Sequence, residues 1–165
     1  MRIWHLILSG LIFFSGCGRL IKVPEQKRAI TQVYPIQLSK DEIYDRALEW
    51  CAKRYISADN AIVVRDKEKG KIICRGTAQY SEYFNFLVDR PFGYSLTIEV
   101  KDNKYRVSFD SFIVYYSERD LKSGPAEYEF EISKIKRILA KVAESLRDYI
   151  SSGVSEKEKK TEEEW

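Results

Sequence analysis

Between Tyr94 and Phe109 the chain alternates almost without fault. Tyr94, Leu96, Ile98 and Val100 are apolar against Ser95, Thr97, Glu99 and Lys101, and Tyr105, Val107 and Phe109 resume the phase after Asp102-Asn103. A period of two sends successive side chains to opposite faces, so the segment predicts a hairpin that turns at Asp102-Asn103 and buries one face. The phase slips after Phe109, because the next apolar residues are Phe112 and Val114, and a bulge near Asp110-Ser111 accounts for the slip. An earlier hairpin is predicted from Ala61 to Arg65 and Lys71 to Tyr80 around the charged turn Lys67 to Gly70. In it Ile72, Cys74, Gly76 and Ala78 share one face, and Ile73, Arg75 and Thr77 the other. Ala29 to Leu38 alternates more loosely. Pro35 within it cannot donate to a ladder, which marks an edge or bulged strand.

Two stretches carry the helical period instead. Ser39-Lys40-Asp41-Glu42 has the form of a capping box, with Leu38 and Ile43 at the staple positions. Ile43, Tyr44, Ala47, Leu48, Cys51 and Tyr55 then recur at three- and four-residue intervals, predicting a helix that ends near Ser57. A second helix is expected from Phe130 to Ser151, its stripe formed by Ile132, Ile135, Ile138, Leu139, Val142, Leu146, Tyr149 and Ile150, with Gly153 as its stop. Ser117 to Pro125 reads as a loop, and residues 153–165 as a charged, disordered tail.

The order strand, helix, four strands, helix, with one apolar sheet face and two amphipathic helices to cover, predicts an α+β domain. Both helices pack on one face of an antiparallel sheet of about five strands, and Arg75, Thr77, Thr97, Glu99, Arg106 and Ser108 face solvent on the other. The helix Tyr44-Asp45-Arg46-Ala47-Leu48-Glu49-Trp50, the hairpin Gly70-Lys71-Ile72-Ile73-Cys74-Arg75-Gly76 and the run Val100-Lys101-Asp102-Asn103-Lys104-Tyr105-Arg106-Val107 carry a further indication. Through them the stretch from Val33 to Ser117 resembles a family of small bacterial proteins, many with export signals, that carry a domain of unknown function with a TATA-binding-protein-like fold. That resemblance implies the same element order. It implies no activity and no catalytic residue, and DNA binding does not follow from the name of a fold.

The first residues point to a location. Arg2, the apolar run Ile3 to Phe14 and the small pair Ser15-Gly16 before Cys17 have the form of a bacterial lipoprotein signal, too short to span a bilayer permanently. The expected organisation is a signal at 1–16, an acylated Cys17 with a tether to residue 28, the domain at 29–152 and the tail at 153–165. Gly18-Arg19-Leu20 brings no acidic residue after Cys17, which fits a cell-envelope protein facing the periplasm. Arg19, Lys22, Lys27 and Arg28 lie close enough to the anchor to meet anionic headgroups.

Composition narrows the chemistry. One of the 28 Lys and Arg, Arg2, lies in the leader, so 27 cations face 25 Asp and Glu with the signs interspersed, against the basic stripe of a nucleic-acid binder. The single histidine, His5, also lies in the leader, which removes Ser-His-Asp and Cys-His catalysis and His-ligated zinc from the mature chain. No phosphate-binding, dinucleotide or nucleophile-elbow motif is present. No cofactor, metal or catalytic residue is therefore expected, and the remaining enzyme class is a carboxylate-based hydrolase built from Asp66, Asp89 or Asp110 with Glu99. Cys51 and Cys74 both fall on core-facing positions, either as a disulfide or as two packed thiols.

Aromatic residues crowd the segment between the hairpins. Tyr80, Tyr83, Phe84, Phe86 and Phe92, with Tyr115 and Tyr116 on the last strand, form the candidate partner-binding set, since surface loops and exposed aromatics favour recognition. The functional expectation is a lipid-anchored, non-enzymatic binding or assembly module recognising an envelope protein or polymer. The alternative from another class is a carrier of a small apolar ligand held between sheet and helices.

Overall fold

The computed structural model describes residues 21–163 except 56, 84, 85 and 118–121, and at 117 and 153–163 the backbone alone. The signal segment, Cys17, Phe84 and Trp165 thus lie outside the described residues. Six strands, β1 (Ile30–Pro35), β2 (Ile62–Asp66), β3 (Lys71–Tyr83), β4 (Leu87–Lys101), β5 (Lys104–Ser117) and β6 (Lys122–Pro125), alternate with helices α1 (Lys40–Arg54), α2 (Ala58–Ala61) and α3 (Glu129–Glu163). The sheet is antiparallel in the order β1-β5-β4-β3-β2, and β6 lies end to end with β1 along the same side of β5.

The two faces follow the alternation read above. Ile72, Cys74, Tyr80, Phe92, Leu96, Ile98, Val107, Phe109 and Val114 are buried beneath the helices, whereas Arg75, Thr77 and Arg106 on the other face are exposed. Ser111, at φ 55°, is the extra residue where the β4–β5 register shifts between Gly93 and Ser95, so the bulge falls where the phase slip put it. Helix α1 starts on the expected capping box: Ser39 Oγ accepts from the Glu42 amide and Glu42 Oε2 accepts from the Ser39 amide. Asp102, in the β4–β5 turn, adds a carboxylate acceptor for the Lys40 amide at 2.8 Å. Gly70, at φ 62°, accepts from the Val100 amide through its carbonyl, and a β-carbon there would lie 2.6 Å from Val100 O, so only glycine lets the two turns approach.

Four expectations need correction. The aromatic segment is not a loop between two hairpins: β3 and β4 pair continuously from Lys71↔Glu99 to Tyr83↔Leu87, giving one long hairpin. Lys122–Pro125 is a strand, held by pairing with Ile113 to Ser117. The tether is shorter than residue 28 implied, because Val23 donates to Glu127 O, Glu129 donates to Ile21 O and Glu25–Lys27 form a turn of 3-10 helix. Of the four cations placed near the anchor, Lys22 and Arg28 are engaged with Glu127 at 2.7 and 3.6 Å. Finally, the backbone of α3 runs through Gly153 to Glu163 instead of stopping, the roughly 1 kcal/mol cost of an interior glycine being offset by the good helix formers Glu and Lys that follow.

Candidate functional site

The outer edge of β3 is only partly covered. On that edge β2 pairs from Lys71 to Cys74, and among the described residues no strand occupies it from Arg75 to Tyr83, whose other side is taken by β4. A sheet edge of this kind presents a row of backbone donors and acceptors to any extended chain that approaches. Beside it lies a groove of about 770 Å³. Arg75, Thr77, Gly93 and Tyr115 line it on the open face of the sheet, and Tyr55 and Asn60 on the helix side. Two glycines shape its floor. A β-carbon on Gly93 would sit 3.3 Å from the Tyr115 hydroxyl, and one on Gly76 would strike the Tyr94 ring. Glycine inside a strand marks a close approach of other groups, and this was the signal for the groove in the sequence.

The hydroxyls at the inner wall serve structure. Tyr55 and Tyr94 meet at 3.4 Å, and burial, then the neighbouring Tyr94, pushes the Tyr55 phenol well above the ordinary tyrosine range. It stays protonated at neutral pH and is no nucleophile.

The aromatic candidates separate into three groups. Tyr80 and Phe92 belong to the core, buried beneath α3 with ring centroids 6.0 Å apart. Tyr83 and Phe86 stand at the tip of the β3–β4 hairpin, 79% and 68% exposed. Tyr115 and Tyr116, adjacent in β5, point to opposite faces: Tyr115 lies over Gly93 in the groove, and Tyr116 donates to Glu131 of α3 at 2.8 Å. Glu131 also accepts from the amides of Glu127 and Tyr128, so it organises the start of α3.

The candidate carboxylates are each engaged with a partner of their own. Asp89 and Glu99 are ten residues apart on one strand, about 33 Å at strand rise, and each has its own partner: Asp89 accepts from Ser81, Glu99 pairs with Arg106. Asp110 accepts from Ser111, and the Lys69 amide and ammonium hold Asp66 below the ordinary carboxylate range. Two-carboxylate hydrolysis needs a pair within about 10 Å across a cleft; Asp66 and Glu99 stand about 10 Å apart at strand spacing on the open face, with Lys71 between them. Among the described residues no group of three His, Cys, Asp or Glu is placed to hold a metal ion.

Cys51 of α1 and Cys74 of β3 are free thiols buried in the core, their sulfurs 3.3 Å apart. The contact with Cys74, together with burial, holds the Cys51 thiol well above its ordinary range. Of the two arrangements open to these residues, the structure contains the packed thiols.

An antiparallel sheet roofed on one face by two helices, with the strand and helix order above, is a two-layer α+β domain of TBP-like fold. The chain belongs to the family described as a domain of unknown function (DUF4468) with TBP-like fold, whose model matches residues 32–115. Among solved structures it is similar to a TBP-like protein from Parabacteroides distasonis ATCC 8503, at 15% identity and a TM-score of 0.61, over 74% of this chain and 92% of that one. It is also similar to a DUF4468 family protein from Bacteroides ovatus ATCC 8483, at 17% identity and a TM-score of 0.56, over 82% of this chain and 90% of that one. These likenesses are of fold. No curated protein matches the chain.

Proposed function

We propose that this chain is a lipid-anchored, non-enzymatic binding module of the cell envelope that takes up an extended segment of a partner protein along the free edge of β3. The observation that carries the reading is the outer edge of β3 from Arg75 to Tyr83, occupied by no strand among the described residues, beside a groove lined by Gly76 and Gly93. Main-chain hydrogen bonds to such an edge supply affinity without requiring a particular sequence, and the adjoining groove reads the partner's side chains. An edge left without bulge or proline along that stretch is a template natural proteins usually blunt. The anchor is supported by the leader-like run before Cys17, and a periplasmic side by Gly18-Arg19-Leu20, which brings no acidic residue after it.

Two other readings lack support. A carrier needs a space between sheet and helices, and that interface is filled by Tyr105, Phe92, Ile43, Leu96, Ile98 and Leu139, all fully buried. The candidate carboxylates of a hydrolase are taken up in ion pairs and hydrogen bonds, Asp66 with Lys69 and Glu99 with Arg106.

Photo-crosslinking in the native host tests the proposal. Benzoylphenylalanine in place of exposed Gln79, beside the free edge, is expected to capture a discrete polypeptide, and the same group in place of Lys101 none. Gly93→Trp, which fills the groove from the open face, is expected to abolish the adduct. Adducts to glycan alone, no adduct at Gln79, or equal capture at both positions would overturn the peptide reading.

A further inference from the structure

The start of the folded chain is pinned at one end of the molecule. Ile21, Lys22 and Val23 run antiparallel to Glu127–Glu129, bonded through Val23 N to Glu127 O at 2.7 Å and Glu129 N to Ile21 O at 2.9 Å. Four residue steps separate Ile21 from Cys17, and a chain reaches at most about 3.6 Å per residue, so Cys17 lies within about 14 Å of Ile21. Any bilayer holding an acylated Cys17 must approach this end of the domain.

A run of side chains joins that point to the β3–β4 hairpin. Lys22 lies over the Tyr128 ring, Tyr128 stacks on Phe130, and Lys134 sits between the Phe130 and Tyr80 rings while bonding Glu82 at 3.2 Å. One register step beyond Glu82 the hairpin closes, with Tyr83 opposite Leu87. There Tyr83, Phe86 and Leu87 are 79%, 68% and 68% exposed, and Ile21 and Phe130, at the two ends of the run's first part, are exposed as well. The opposite end of the sheet carries the turns at Lys67–Gly70 and Asp102-Asn103, where Lys67, Glu68, Lys69, Lys101, Asp102, Asn103 and Lys104 are exposed, with Val33 an exposed apolar side chain near them. The largest apolar exposures, at Tyr83, Phe86 and Leu87, therefore lie at the end of the molecule to which the short tether leads.

We infer that the hairpin tip of Tyr83, Phe86 and Leu87 seats in the interfacial layer of the bilayer that holds acylated Cys17. Amphipathic and aromatic side chains favour that layer, and an acyl chain gains firm attachment from a second contact. The seat fixes the domain's orientation, so that β3 rises from the membrane and offers its free edge sideways. This inference rests on the lipid-anchored reading.

The test uses the full chain, purified from native membranes and reconstituted in vesicles of phosphatidylethanolamine and phosphatidylglycerol, with a nitroxide on Phe86→Cys or on Lys101→Cys. Buried Cys51 and Cys74 do not compete for the label. Intact mass of each sample reports acylation at Cys17. The expected result is a nitroxide at position 86 that relaxes with dissolved oxygen and is shielded from a water-soluble nickel chelate, and the reverse at position 101. In acylated protein, a water-exposed nitroxide at 86, or one shielded from both agents as in a protein contact, would overturn the seat while leaving the anchor standing. An unacylated mass would overturn the anchor and the seat with it.

Discussion

Gly76 stands opposite Tyr94 across the β3–β4 ladder, and the tyrosine ring occupies the volume that a side chain at 76 would need. A β-carbon there would lie 2.5 Å from Tyr94 Cζ and Oη and 3.0 Å from a ring carbon of Tyr55. Tyr94 cannot simply swing away, because its ring is wedged against Phe92 at 6.1 Å and Phe109 at 5.9 Å. Gly76→Ala is therefore expected to destabilise the domain by about 1–3 kcal/mol, the usual cost of overpacking. Adding Tyr94→Leu should recover part of the loss, a non-additivity read by urea unfolding of the single and double variants. An unchanged midpoint for Gly76→Ala would show that the ring moves freely.

Glu82 is the charged residue that ties the hairpin to α3. It is 8% exposed, on the helix-facing side of β3, and accepts from Arg90 Nε and Lys134 Nζ, each at 3.2 Å. Removing one member of a buried ionic cluster leaves the others desolvated without their counter-charge, at a cost of about 3 kcal/mol. Glu82→Ala should show that loss in chemical denaturation, and Glu82→Gln, which keeps hydrogen-bonding capacity, a smaller one. Equal effects from the two variants would mean that packing, and not charge, is what Glu82 contributes.

Cys51 and Cys74 should be inert while the domain is folded. Both are fully buried, and reactivity belongs to the exposed thiolate. Iodoacetamide at pH 8 is expected to add no tag at either position in native protein and one tag at each after unfolding without reductant. Tagging of the folded state would show that α1 lifts from β3 far more often than its burial implies. Absence of tags after unfolding would reveal a disulfide in place of packed thiols.

Much of this architecture was legible locally, because local signals caused it. The alternation from Tyr94 to Phe109, the slip at Asp110-Ser111 and the Ser39–Glu42 box all appear in the structure where pattern placed them. The segment from Tyr80 to Phe92 resembles a loop in sequence for a definite physical reason. Its inward positions include Glu82 and Arg90, which break the apolar alternation and are tolerated because Arg90 pairs with Glu82 and Glu82 also with Lys134, more than forty residues away. Pro125 and Gly124 made β6 look like a turn, and only pairing with β5 makes it a strand. The free edge of β3 was hidden in another way, since it exists because β2 is shorter than its neighbour and pairing partners are not written in one strand. What the sequence did show of the site was its aromatic surplus, without saying that Tyr80 and Phe92 belong to the core.

Alkaline pH should unfold this domain cooperatively. Burial is the leading cause that raises the phenols of Tyr34, Tyr44, Tyr55, Tyr80, Tyr105 and Tyr116 above the ordinary tyrosine value. Tyr105 is the most isolated, stacked on Tyr34 at 5.2 Å with its hydroxyl unpartnered. An unfolded chain releases these protons near pH 10, whereas the folded domain keeps them, so above that pH the folded state binds more protons and stability falls as pH rises. The contribution is fully present below the unfolded value and is lost as pH climbs towards the raised folded ones. Phenolate absorbance near 295 nm should therefore lag behind that of free tyrosine and then appear together with loss of the far-ultraviolet dichroism. If these phenols ionise near pH 10 while the dichroism is retained, they are open to water, and the packing of the sheet against its helices is looser than the buried rings indicate.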